Sequence, residues 1–97
     1  MTELLRNAEK VLATAQAAGF TAESERFCLL VGREGEVRVI AGREWSEAGL
    51  EAEYAPAMLY VVERTQAAVR VLARAGGTRC LLECDRRRGP VGPLLVA

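Results

Sequence analysis

Ninety-seven residues give enough chain for one domain with a single modest core, and 51% hydrophobic content without low-complexity tracts excludes a disordered or fibrous chain. Thirteen basic residues balance thirteen acidic ones, so no global field draws the protein to nucleic acid or to an anionic membrane. Histidine is absent, which removes the commonest general base and the commonest transition-metal ligand together.

Leu4, Leu5, Ala8, Val11, Leu12, Ala15 and Ala18 recur at helical spacing, with Glu3, Arg6, Asn7, Glu9, Lys10 and Thr14 mainly on the other side. This predicts an N-terminal amphipathic helix, stopped at Gly19 with Phe20 folding back, that needs a sheet or partner to bury its stripe. Phe27 to Val31 is an apolar, β-prone run. Arg33-Glu34-Gly35 supplies a turn with glycine where positive φ is needed, and Val37, Val39 and Ala41 alternate with Arg38 and Ile40 on a return strand. Gly42 to Trp45 breaks that strand, and Ser46 caps a short helix running through Leu50 and Glu53.

Residues 57–75 read two ways. A helix has Pro56 at its first turn, Glu63, Gln66, Arg70 and Arg74 on one side, and Gly76-Gly77 as its stop. A hairpin has Tyr60, Val61, Val62, Thr65, Val69 and Val71, residues that suit a pleated surface, but its turn lacks glycine, asparagine and proline. The segment also echoes 27–42, thirty-two residues earlier, down to a shared Val-Arg-Val close. The echo favours the hairpin. Thr78 to Asp85 then forms another strand, with Cys80, Leu82 and Cys84 on one face. The expected domain spans 1–88, and 89–97, with Gly92 and Pro93, is expected as a flexible apolar tail.

The fold expected is therefore α+β: one antiparallel sheet under the N-terminal helix, in the order α-β-β-(short α)-β-β-β. The alternative, α-β-β-α-β, has a helix over 57–75. The preferred order resembles that of roadblock-type and PAS-type modules, a resemblance in element order that implies no residue roles.

Few residues carry the makings of chemistry. Cys28, Cys80 and Cys84 lack the close spacing of a zinc knuckle, and without histidine they read as small buried hydrophobes. Only arginines are on offer to activate a thiolate. Arg86 to Arg88 form the one basic run, close to Glu83 and Asp85. No catalytic, metal or cofactor-binding residue is nominated, and no cofactor is expected. If Val37, Val39, Val69, Val71, Cys80 and Leu82 face the helix, the other face carries Arg38, Ile40, Arg70, Leu72, Arg79 and Leu81. Arginine mixed with large aliphatics is the composition of a contact surface. An RNA-binding sheet would want exposed aromatics, and the chain has one Trp, two Tyr and two Phe.

The expectation is a non-catalytic interaction or scaffolding module that forms a homodimer, or meets another protein, through that face. It is placed in the cytoplasm because no leader or apolar span is evident and the cysteine count is odd. Nucleic acid and membrane are not expected partners. The alternative is a small-ligand sensor with a pocket near Trp45, and a cysteine-based enzyme or redox sensor stands third.

Overall fold

A computed structural model describes residues 2–17, 24–42, 44–85 and 89–96, the last of these in backbone only. The elements are α1 (Thr2–Ala17), β1 (Glu25–Val31), β2 (Val37–Ala41), α2 (Glu47–Tyr54), β3 (Met58–Arg64), β4 (Ala68–Ala75), β5 (Thr78–Asp85) and β6 (Gly89–Val96). The strands form one antiparallel sheet in the order β2-β1-β3-β4-β5-β6. The α+β class and the preferred element order hold through β5.

Residues 57–75 are a hairpin, and the alternative helix is overturned. Its turn is held by a threonine. The Thr65 hydroxyl accepts from the backbone N–H of Ala67 (3.2 Å) and Ala68 (3.1 Å), while the Thr65 N–H donates to the Ala68 carbonyl at 2.9 Å. That hydroxyl does locally what a glycine or asparagine turn does through backbone freedom. The β1–β2 turn uses Gly35 at φ 87°, as its sequence implies.

Strands β2 and β3 are both antiparallel to β1, which lies between them. The chain must cross over β1 to join them, and α2 is that crossover. Ser46 caps α2 by accepting from the Gly49 N–H at 3.1 Å, and Ala55 ends it in the left-handed conformation (φ 44°, ψ 53°). Its Leu50 packs with Cys28, Leu30, Leu59 and Val61 in one core cluster. Arg74 of β4 clamps it from below, reaching Glu51 at 2.9 Å and Glu47 at 3.5 Å. Both faces of the sheet therefore carry a helix.

On the opposite face, α1 buries Leu4, Ala8, Leu12 and Ala15 against Tyr60, Val62, Val69, Val71, Ala73, Cys80, Leu82 and Cys84. Leu4, Ala8, Leu12 and Ala15 of the predicted stripe are buried and Leu5 and Val11 half-buried, while Ala18 lies outside the described residues. Tyr60 ties the two layers: its hydroxyl donates to the Leu4 carbonyl at 3.4 Å. The expected stop at Gly19 and Phe20, like the basic run Arg86 to Arg88, lies outside the described residues.

The expected tail is a strand. Residues 89–96 form β6, paired along β5 from Asp85↔Gly89 to Arg79↔Val96. Between Leu81↔Leu94 and Glu83↔Val91 one extra residue enters the β6 side, so Gly92 and Pro93 sit at a bulge. A bulge on an edge strand accommodates prolines, because the outer row of N–H groups has no partner to lose. The composition that suggested a tail is thus compatible with an edge.

Candidate interaction surface

Alternation along the strands places side chains as the sequence implies. Arg38, Ile40, Arg70, Leu72, Arg79 and Leu81 share the α2 side of the sheet, and Val37, Val39, Val69, Val71, Cys80 and Leu82 share the α1 side. Two rows run across the α2 side: Arg38–Leu30–Leu59–Arg74–Arg79 and Ile40–Cys28–Val61–Leu72–Leu81.

That face is less open than a single-helix fold would leave it. Ile40 and Leu72 are half-buried against the α2 cluster. The Arg38 guanidinium lies 4.7 Å from the Tyr54 ring centroid, and Arg70 bonds Glu83 at 3.0 Å. Arg79 and Leu81 are half-buried, and Arg79 Nε is a buried donor without a partner among the described residues. Arg38 and Arg70 thus hold the domain's own aromatic and acidic groups. They are spread over the face rather than gathered into one patch.

The open apolar surface is on the other side. Val37 and Val39 are 64% and 61% exposed, whereas the equivalent Val69 and Val71 are fully buried. Position in the sheet explains the contrast. A helix about 10 Å across covers two to three strands at roughly 4.8 Å spacing, and α1 lies on β3, β4 and β5. Strand β2, two places from β3, falls beyond its reach. Phe27, Leu29 and Val31 of β1 are half-buried at the helix flank. There a cleft of about 480 Å³ opens between α1 and β1, lined by Val11, Ala15, Phe27 and Leu29 with Lys10 and the Arg64–Glu25 ion pair among its polar groups. Sequence reasoning put Val37 and Val39 on the correct side but under the helix. The width of one helix against the number of strands was the signal available to find them uncovered.

Trp45 packs at the rim of the α2 cluster, with the Arg26 guanidinium 4.0 Å from its ring centroid. Its indole N–H is buried and has no partner among the described residues. Beside it lies an open cleft of about 550 Å³, lined by Ile40, Leu50, Tyr54, Glu44 and Glu53 as well as Trp45.

The three thiols are buried, Cys28 on the α2 side and Cys80 and Cys84 on the α1 side. Burial, with Glu47 nearby and Arg26 opposing, pushes the Cys28 thiol up to about 11, and burial raises Cys80 as well. Among the described residues no three of His, Cys, Asp and Glu gather as metal ligands would, and no helix is long and apolar enough to cross a membrane. No protein-family model, curated protein or solved structure matches the chain.

Proposed function

We propose that the chain is a small non-catalytic interaction module that self-associates through its sheet. The exposure of Val37 and Val39, on the side of β2 that α1 does not reach, carries this reading. Large apolar side chains set in a row beside further half-buried ones are the usual mark of a contact site. The contact is placed at the β2 margin rather than on the arginine face, because Arg38 and Arg70 already have partners within the domain.

Light scattering after size exclusion at micromolar concentration tests it. The wild type is expected at twice the monomer mass, Val39→Glu at the monomer mass, and Arg70→Glu unchanged from wild type. A monomeric wild type overturns the reading. Dissociation by Arg70→Glu but not by Val39→Glu moves the contact to the arginine face and overturns its placement.

The cleft beside Trp45 favours a second reading, a small-ligand sensor. Apolar walls with Glu44 and Glu53 suit a small apolar ligand bearing a cationic group. A thermal-shift screen of such metabolites should raise the melting temperature and change Trp45 fluorescence, since binding to the folded state must stabilise it. A screen without stabilisation rejects this reading.

A further inference from the structure

The two edges of the sheet are built differently. At one edge, β6 carries Pro90 and Pro93 and a bulge, devices that blunt an edge against strand addition. At the other, β2 is a regular five-residue strand, Val37-Arg38-Val39-Ile40-Ala41, paired only to β1. It has no proline, no bulge and a single charge. Its outer row of N–H and C=O groups is not used by the sheet, and its α1-side valines are exposed.

Resting on the reading of the chain as a self-associating module, we infer that the partner is a second copy, joined by antiparallel pairing of β2 with β2 about a twofold axis at Val39. In this register Val39 faces Val39 of the other copy, Val37 faces Ala41, and Arg38 faces Ile40. All five residues of each strand are paired. The register two residues shorter sets Arg38 against Arg38, a like-charged cross-strand pair that is destabilising. The register two residues longer sets Ile40 against Ile40 and leaves part of each strand beyond the other's end. A slip by one residue brings the valine side of one copy to the arginine side of the other. Full overlap and separation of the arginines select one register.

Pairing of this kind satisfies the unused backbone row and gives each exposed valine an apolar neighbour. The row Tyr60–Leu29–Val39 then continues into the same row of the second copy, in reverse order.

Cysteine cross-linking reads the register directly, because the native thiols are buried, at 0% exposure for Cys28, 1% for Cys80 and 3% for Cys84. Under mild oxidation Val39→Cys should form a disulfide dimer on its own. Val37→Cys and Ala41→Cys should each form little alone and at least tenfold more when mixed with one another. Both positions are exposed on an edge strand, so the substitutions leave the core intact. Wild-type dimers in light scattering without these cross-links overturn the β2 pairing while leaving self-association standing. A monomeric wild type overturns both.

Discussion

Thr65 shows how much of a fold one hydroxyl can decide. It accepts two backbone N–H groups and donates to the Ala68 carbonyl at 3.2 Å, closing a turn whose other residues, Gln66 and Ala67, have no special turn chemistry. Thr65→Ala removes all three bonds and should cost about 1 kcal/mol in urea unfolding, since water takes over part of the exposed donors. Thr65→Ser keeps the oxygen and should lose less than half of that. Equal stability of wild type and Thr65→Ala would mean that the backbone bond between Thr65 and Ala68 holds the turn alone. The same threonine was in plain view in the sequence. Its role was missed because a hydroxyl-closed turn has a weaker compositional mark than Asn-Gly or Asp-Gly.

At the scale of elements, the local periodicities were legible. The stripe of α1, the Gly35 turn, the Ser46 cap, the apolar run of β1 and the two-residue alternation of β2, β4 and β5 each follow from neighbours in the chain. The hairpin over 57–75 was legible only by its likeness to 27–42, since Val62, Val69 and Leu72 satisfy a helical stripe as well as a strand. What periodicity could not supply was position. Alternation assigned Val37 and Val71 to one face, but only strand order puts one beneath α1 and the other past its edge. Strand β6 was hidden for a different reason. Gly89, Pro90, Gly92 and Pro93 argue against a central strand, and an edge with a bulge is the place in a sheet that tolerates them. For the candidate surface, the face of each side chain was readable while its cover was not.

For the whole molecule, buried ionisable groups couple stability to alkaline pH. Cys28 lifts from its ordinary 9.0 to about 11, and burial raises Cys80 and Tyr60 in the same direction. A raised pKa means that the folded state holds its proton more firmly than the unfolded chain. The stabilisation is complete below about pH 9 and is lost as pH climbs through about 11. Urea unfolding at pH 8, 9, 10 and 11 should show stability falling over the upper half of that range, and Cys28→Val should flatten the fall. A wild type equally stable at pH 8 and pH 11 would contradict it.

The unlike edges of the sheet also set how far an assembly of these chains can grow. Strand addition without limit needs two receptive margins on every subunit, one to accept and one to be accepted, and such head-to-tail contacts run on into fibres. Prolines and a bulge take one margin out of play, which leaves each chain a valency of one. In the β2 pairing proposed above, each partner would use up the other's capacity. The assembly would then end at two, as a closed pair rather than the first step of a filament.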